Sequence, residues 1–195
     1  QARQDGLSRP ELLQQLAKIE GVYVPSLFAV EYHPDGRISE LIPLQDDYQK
    51  VRRRFLADLE QAEFPTKPII PFMQTVHNRV ALEIARGCTR GCRFCQAGYI
   101  YRPVRERSPQ RIAGLIDEAL ENSGYEEISL LSLSTGDYSC IEPLMQGLMA
   151  RYAQDQVAVS FPSLRVGSLT PELMEEIKKV RKTGFTLAPE AGTER

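Results

Sequence analysis

Apolar residues after position 78 follow two alternating patterns. Four short apolar runs have the length and composition of strands, and the three segments between them repeat apolar residues with helical spacing. The predicted strands span residues 79–86, 126–134, 156–164 and 185–189. The predicted helices span residues 109–122, 139–153 and 171–182. Strands that alternate with helices in this way predict an α/β fold with a parallel sheet.

Cap residues mark the ends of these helices. Ser108 and Thr170 each precede a proline, as N-caps often do, and the stretch from Ser139 to Glu142 fits a capping box. Gly124 and Gly184 follow predicted helix ends, where glycine takes a left-handed conformation at little cost. These residues support the predicted helix boundaries.

The first 43 residues have a different pattern. Residues 9–20 repeat leucine and isoleucine with helical spacing between Ser8, which fits an N-cap, and Gly21, which fits a helix end. Residues 22–43 contain two apolar runs around a turn-forming Pro-Asp-Gly segment at 34–36. The chain therefore opens with a predicted short amphipathic helix followed by a β-hairpin.

A linker is predicted to follow the hairpin. Residues 47–62 are highly charged and are predicted to be helical, and the three prolines within 64–72 predict an extended connection. We therefore divide the chain into a helix and β-hairpin segment over 1–72 and an α/β domain over 73–195.

Composition and charge place limits on function. The 195 residues are 42% hydrophobic and 26% charged, which is ordinary for a soluble globular protein. No apolar run reaches the roughly 18 residues of a membrane span, and the N-terminus lacks a secretory signal, so we predict a cytoplasmic protein with no membrane partner. With a net charge of −2, any nucleic-acid partner would have to bind at a local basic patch.

Cysteines are concentrated where the first predicted strand ends. Ligands gather at the carboxyl ends of strands in parallel β-α folds, and here the first strand leads into "RGCTRGCRFC". Three of the four cysteines, Cys88, Cys92 and Cys95, lie within eight residues of each other in this segment. In a reducing compartment such clustered thiols are more often metal ligands or catalytic groups than disulfide partners.

The residues alone leave three kinds of cysteine site open. A structural zinc site would need a fourth ligand, for which His33, His77 and Cys140 are available. A 4Fe–4S cluster would use the three thiolates for three irons and leave the fourth iron open to another ligand. A cluster that only carries electrons would need a fourth cysteine, and Cys140 alone is better interpreted as a small buried hydrophobic residue.

The C-x3-C-x2-C spacing, with Phe94 before the last cysteine and a strand before the first, resembles the radical S-adenosylmethionine superfamily over about residues 75–195. By this resemblance, polar residues at the later strand ends would bind the cofactor S-adenosylmethionine. These residues are Gly136 and Asp137 after the second strand, Ser163 and Arg165 after the third, and Glu190 after the fourth. Asp137 stands where the family has glutamate, and both the Gly136–Asp137 turn and Glu190 could instead have purely structural roles.

The resemblance implies a fold and a reaction. The fold would be a partial (βα) barrel, of which about four leading strands are present. Cys88, Cys92 and Cys95 would bind a 4Fe–4S cluster that cleaves S-adenosylmethionine reductively to a 5′-deoxyadenosyl radical. The implied partners are an electron donor such as flavodoxin or ferredoxin and a substrate of unknown identity, either a small molecule or RNA.

A narrower resemblance concerns "LLQQLAKIEGVYVPSLF" and "APEAGTER", which are similar to cobalamin-binding-domain-linked radical S-adenosylmethionine proteins of bacteria. It implies cobalamin bound by a domain upstream of Gln1, and either methyl transfer or RNA methylthiolation as the reaction. The sequence begins without Met and ends at Arg195 within a patterned segment, so we expect a piece of a longer protein.

Three arginines follow the cysteine segment, at positions 102, 105 and 107. Arg102, Arg105 and Arg107 either form a solvated basic stretch or face an anionic cofactor or substrate phosphate. The sequence leaves both interpretations open.

Overall fold

The computed structural model describes residues 5–181 and 184–192. The chain divides into two compact units, residues 1–56 and 57–195. Residues 57–72, which the sequence assigns to the first segment, thus group with the second unit. The domain boundary predicted at residue 72 stays a prediction.

The first unit contains the predicted helix and hairpin. Helix α1 spans Arg9–Ala17, and strands β1 (Phe28–Tyr32) and β2 (Ile38–Pro43) pair in antiparallel fashion. The backbone N–H of Ser8 donates to the Glu11 carboxylate at 2.8 Å, which begins the helix. The helix ends at Ala17, three residues earlier than predicted.

The predicted helix over 47–62 is absent, and within it only Leu59–Gln61 forms a short 3-10 turn. Helical stability in proteins depends mainly on burying an apolar face. Here Phe55 and Leu56 are 51% and 37% exposed. Tyr48 is buried instead by a non-helical contact, since its hydroxyl donates to the carbonyl of Val22 at 2.6 Å. The prediction of a helix was therefore wrong.

The second unit alternates strands and helices. The principal elements are β3 (Val80–Glu83), α3 (Pro109–Ser123), β6 (Glu127–Leu131), α4 (Ile141–Tyr152), β7 (Ala158–Ser160) and α5 (Pro171–Lys178). The short elements are β4 (Ala85–Arg86), α2 (Ala97–Ile100), β5 (Arg105–Glu106), β8 (Leu164–Arg165) and β9 (Leu187–Ala188). Each predicted strand is shorter than its apolar run, and the strands predicted over 79–86 and 156–164 are each interrupted.

Strands β3, β6 and β7 form a three-stranded parallel sheet in that order. Strands β8 and β9 form a separate parallel pair, and β4 and β5 an antiparallel one. The structure therefore confirms a mixed α/β architecture with a parallel sheet. No sheet within the described residues closes on itself.

The core lies where the helices pack against the parallel sheet. Its fully buried side chains include Leu82, Ile116, Ile128, Leu130 and Met145. Burying each such side chain contributes roughly 1.5–3 kcal/mol. This packing holds the strands in register, so the segments after their carboxyl ends lie together at one edge of the sheet.

The predicted caps of α3 and α5 are confirmed. The side chains of Ser108 and Thr170 accept hydrogen bonds from the backbone N–H groups of Arg111 and Leu173. Helix α4, by contrast, begins after Cys140, and Ser139 donates its backbone N–H and its hydroxyl to Glu106. The predicted capping box from Ser139 to Glu142 is therefore wrong.

Candidate active site

The cysteine-bearing loop begins at Gly87, and any other residue at this position would require the neighbouring backbone to move. Gly87 has a φ of +98°, and a Cβ at this position would lie 2.6 Å from the carbonyl oxygen of Tyr101 and 2.7 Å from that of Pro103. The chain that returns to β5 thus crosses directly over Gly87. This close approach leaves no room for a side chain at position 87.

Cys88, Cys92 and Cys95 line one cleft of about 260 Å³. All three are free thiols of intermediate exposure. The same cleft is lined by Ser163, Arg165 and Glu190 from the ends of later strands. The structure thus brings the three cysteines together with three of the five residues predicted to bind the cofactor.

Asp137 lines an adjacent cleft of about 210 Å³, which shares Cys88, Arg90 and Ser134 with the first. Its carboxylate accepts two hydrogen bonds from the guanidinium of Arg90, one of them at 2.7 Å. Ser134 donates its hydroxyl to the same carboxylate at 2.6 Å, and Arg165 donates at 3.3 Å. Chiefly because of the Arg90 hydrogen bonds, the pKa of Asp137 is lowered to about 2.

Arg165 has one donor that is not satisfied. Its guanidinium donates to Asp137 and, at 3.3 Å, to the carbonyl of Val166. Its Nε is buried and has no hydrogen-bond partner within the part of the chain that the structure describes. A buried N–H without an acceptor is costly, and such groups often mark a ligand site.

The backbone is strained at two residues that line the cysteine cleft. Ser163 and Glu190 have φ values of +63° and +65°, in the left-handed region that non-glycine residues rarely adopt. Strain of this kind costs on the order of 1–3 kcal/mol and is concentrated at functional sites. Ser163 lies directly before β8, and Glu190 lies two residues after β9.

Gly136 lines neither of these clefts. A Cβ at this position would lie 2.5 Å from Oγ and 2.6 Å from Cβ of Ser168. The Ser168 hydroxyl in turn donates to the carbonyl of Arg165 at 2.7 Å. The close contact supplies a packing reason for glycine at 136, while its predicted role in cofactor binding stays a prediction.

The three thiols are the soft donors that line the cysteine cleft. Within the described residues no group of three or more His, Cys, Asp or Glu side chains is arranged to hold one metal ion. Burial, and to a smaller extent the Glu190 carboxylate, raise the pKa of the Cys92 thiol. A positively charged ligand would have the opposite effect and favour the thiolate. Soft, thiolate-binding metals fit this donor set.

Comparison with known proteins identifies the family. Residues 82–195 match the family model of the Radical SAM superfamily, which is more than half of the chain. The chain belongs to this superfamily. It is also 40% identical, over 115 residues, to Uncharacterized protein MJ0966 of Methanocaldococcus jannaschii. That match covers 58% of this chain and 24% of the relative, so the chain spans about a quarter of the relative's length.

Radical SAM proteins are generally enzymes, and the family implies a 4Fe–4S cluster and S-adenosylmethionine. That Cys88, Cys92 and Cys95 are the ligands of this cluster stays a prediction. None of the described helices has the length and apolar character needed to cross a membrane.

Two of the three arginines after the cysteine segment have a structural role. Arg107 is 2% exposed, and its guanidinium donates to the carbonyls of Glu83, Leu59 and Ala62. Arg105 is also buried and donates to the carbonyls of Pro103 and Tyr101. Both open interpretations, a solvated stretch and an anion-facing cluster, are therefore wrong for these two side chains.

Arg102 differs from these buried arginines. It is exposed, and its guanidinium lies 5.4 Å from the centre of the Tyr99 ring. This is a cation–π arrangement at the surface of the cysteine-bearing segment.

Sequence reasoning missed Arg90 and Ser134, which both line the two clefts. Arg90 lies between Cys88 and Cys92, and this position inside the cysteine motif was the one signal that could have identified it. Cys140 and His77 line neither cleft; Cys140 packs against the core, and the ring of His77 contacts the guanidinium of Arg79.

Proposed function

We propose that this chain is the cofactor-binding part of a radical SAM enzyme. Cys88, Cys92 and Cys95 would hold a 4Fe–4S cluster, and the residues at the later strand ends would bind S-adenosylmethionine. When bound, these groups supply reductive cleavage of S-adenosylmethionine to a 5′-deoxyadenosyl radical, which abstracts a hydrogen atom from a substrate. The observation that carries the proposal is the convergence of three free thiols and three strand-end residues on one cleft.

The donor set supports a cluster over a single ion. Three thiolates satisfy three irons and leave one iron available to a further ligand. A structural zinc site that uses His77 or Cys140 as its fourth ligand is less well supported, because neither residue lines the cleft.

Arg165 is proposed to bind the cofactor through its buried Nε. This donor lacks an acceptor among the described residues, and the side chain lines the cysteine cleft. S-adenosylmethionine carries a carboxylate and ribose hydroxyls, either of which can accept a hydrogen bond. Ser163 and Glu190 would contribute further polar contacts from their strained positions in the same cleft.

The Arg90–Asp137 pair supports a revised role for Asp137. The family resemblance suggests that this residue binds the amino group of methionine. In the structure its carboxylate already accepts hydrogen bonds from Arg90, Ser134 and Arg165. We propose that Asp137 acts mainly by holding the cysteine loop and Arg165 in place. Its carboxylate would contact the cofactor only through lone pairs that these hydrogen bonds leave free.

Several finer features belong to the same proposal. The observed β-α units would be the leading part of a partial barrel, with further strands supplied elsewhere in the protein. The substrate, small molecule or RNA, and the participation of cobalamin stay predictions, as does a cytoplasmic location. An electron donor such as flavodoxin or ferredoxin would supply the reducing electron.

Anaerobic reconstitution followed by electron paramagnetic resonance tests the proposal. We expect the reduced protein to show the signal of a 4Fe–4S cluster, and S-adenosylmethionine to change that signal by binding at the open iron. Stoichiometric zinc with no uptake of iron would overturn it. Iron uptake without any response to S-adenosylmethionine would leave an electron carrier as the better interpretation.

A further inference from the structure

The first unit contains a short basic segment that lies outside the candidate active site. Residues 50–55 have the sequence KVRRRF, with four basic residues among the first five and no acidic residue. The four basic side chains are exposed, and the segment forms neither helix nor strand. We call residues 50–55 the basic segment.

Three cations of the basic segment have no carboxylate partner. Elsewhere in the chain, exposed cations pair with carboxylates: Arg37 with Asp35, Lys178 with Glu175 and Lys179 with Glu176. Within the described residues, Lys50, Arg52 and Arg54 form no such pair. Their charges are therefore available to an anionic partner, although the chain as a whole has a net charge of −2.

The fold of the first unit holds the basic segment in place. Just before the segment, Tyr48 is buried; its hydroxyl donates to the Val22 carbonyl at 2.6 Å and accepts from the Val24 N–H at 3.0 Å. Within the segment, Arg54 packs against Gly21, where an added Cβ would lie 3.0 Å from the Cβ of Arg54. A segment that is held in this way loses less conformational freedom on binding than a loose tail does.

The basic segment ends in an exposed aromatic ring. Phe55 is 51% exposed, and the guanidinium of Arg53 lies 5.2 Å from the centre of its ring. Proteins that bind single-stranded nucleic acids combine basic side chains, which contact the backbone, with aromatic rings and guanidinium planes, on which unpaired bases stack. The basic segment carries both kinds of group.

We propose that the basic segment binds single-stranded RNA. Lys50, Arg52 and Arg54 would neutralise phosphates, and Phe55 with Arg53 would stack on an unpaired base. A duplex offers phosphates but no unpaired base, and a membrane surface favours an amphipathic helix, which this segment does not form. The inference goes beyond the proposed function, since RNA would bind whether or not the chain holds a cluster. Among the substrates that the proposed function leaves open, it favours RNA.

Fluorescence anisotropy of a labelled single-stranded RNA of about 12 nucleotides measures binding to the full chain. The triple variant Lys50→Gln/Arg52→Gln/Arg54→Gln removes the three cations that have no carboxylate partner. We expect it to bind the RNA roughly tenfold more weakly or worse at about 0.1 M salt. The slope of log affinity against log salt should fall by about two, because each phosphate contact on a single strand contributes about 0.7.

The matched control removes three exposed cations that do pair with carboxylates, and it is Arg37→Gln/Lys178→Gln/Lys179→Gln. This control changes the net charge of the chain by the same amount, and its affinity for the RNA should stay close to that of the parent chain. Urea unfolding of each variant verifies that the chain is still folded.

Phe55→Leu tests the stacking contact separately from the charges. Leucine keeps an apolar side chain but offers no aromatic face, so affinity should fall roughly fivefold or more while the salt slope is unchanged. Duplex RNA of the same length should bind more weakly than the single strand and should not respond to this substitution.

Three results overturn the proposal. The first is a parent chain that does not bind the single-stranded RNA at about 0.05 M salt, where phosphate contacts are strongest. The second is equal affinity in the triple variant and its matched control. The third is binding of phosphatidylglycerol vesicles through the same residues without any binding of RNA, which would assign the segment to a membrane surface.

This inference and the proposed function fail in different ways. A chain that binds RNA through the basic segment but takes up no iron contradicts only the proposed enzyme. A chain that loads a cluster and responds to S-adenosylmethionine, but whose affinity for RNA is the same in every variant, contradicts only the RNA-binding segment.

Discussion

The guanidinium of Arg90 donates to both carboxylate oxygens of Asp137, which follows it by 47 residues, and the Nε–Oδ2 distance is 2.7 Å. Arg90 lies between Cys88 and Cys92, and Asp137 follows the second strand of the parallel sheet. This bidentate contact therefore connects the cysteine-bearing loop to the end of β6. Such pairs are among the stronger and more directional hydrogen-bonded contacts in proteins.

The Arg90–Asp137 pair predicts a pH dependence of stability. The folded-state pKa of Asp137, about 2, lies below its ordinary value of 3.8, so the ionised carboxylate stabilises the folded chain above pH 4. This contribution is lost as the pH falls through about 2, and about half of it is gone at pH 3. The shift corresponds to at most about 2.5 kcal/mol, and solvent screening of Arg90, which is 48% exposed, reduces this to about 1 kcal/mol.

Urea unfolding of the metal-free chain and of Asp137→Asn, at pH 7 and at pH 3, measures this contribution. At pH 7 we expect the parent chain to have a larger free energy of unfolding than Asp137→Asn. At pH 3 this difference in free energy between the two proteins should be roughly halved. The parallel variant Asp117→Asn is the control, since its carboxylate pairs with Arg151 and accepts from Tyr152 but lines neither cleft. A difference that is equal at both pH values would mean that the pair does not stabilise the fold.

The β-α order was predictable from the sequence because it depends on local periodicity and on caps. Ser108 and Thr170 cap their helices as predicted, through contacts only three residues long. Where prediction failed, contacts between distant residues decide the structure. The run over 79–86 is divided after Glu83 because the carbonyl of Ile84 accepts from the backbone N–H of Arg107, and Ala85–Arg86 then pair with β5 rather than with β6.

The sequence predicted most residues of the candidate site, but not the hydrogen bonds between them. The cysteine motif predicts three thiols in one loop because its spacing is local. Strand ends predict that Ser163, Arg165 and Glu190 lie in the same cleft, because parallel strands bring their ends together. The partners of Arg107 lie 45 and 48 residues away, and no local pattern in a charged run reveals whether it is buried. The Arg90–Asp137 contact was missed for the same reason.

The three clustered cysteines predict the metal content. Cys88→Ala, Cys92→Ala and Cys95→Ala should each abolish binding of a cluster that otherwise contains about four iron and four sulfide per chain. Cys140→Ala is the matched control, because Cys140 packs against the core and lines neither cleft. Iron and sulfide analysis with visible absorption checks this, and loss of iron in the Cys140 variant would mean that the ligand set is misassigned.

The buried Nε of Arg165 predicts a defect in cofactor binding. Arg165→Lys removes this donor and keeps the positive charge, so affinity for S-adenosylmethionine should fall roughly tenfold or more, as expected for a lost hydrogen bond to a charged group. Iron content should not change, since Arg165 is not a proposed metal ligand. Titration of the reduced cluster with S-adenosylmethionine measures this, with Arg151→Lys as control; equal affinity in both variants would contradict the assignment.

The contact between Gly136 and Ser168 separates a packing role from a binding role for the glycine. A Cβ at 136 would lie 2.5 Å from Oγ and 2.6 Å from Cβ of Ser168, so Gly136→Ala should destabilise the chain by about 1–3 kcal/mol. The second substitution Ser168→Gly removes both atoms. Because the Ser168 carbonyl oxygen would still lie 3.0 Å from the new methyl group, it should recover most of the lost stability but not all.

Gly147→Ala in α4 is the matched control, since a Cβ there meets no atom within 4 Å and alanine should stabilise the helix by roughly 0.5–1 kcal/mol. The stability of each variant is measured by urea unfolding, and its affinity for S-adenosylmethionine by titration of the loaded protein. If stability and affinity recover together in Gly136→Ala/Ser168→Gly, the glycine is required for packing alone. If stability recovers and affinity does not, the backbone at 136 contacts the cofactor, as the family resemblance predicts. A Gly136→Ala chain as stable as the parent would show that the Ser168 loop moves freely, and would contradict the packing role.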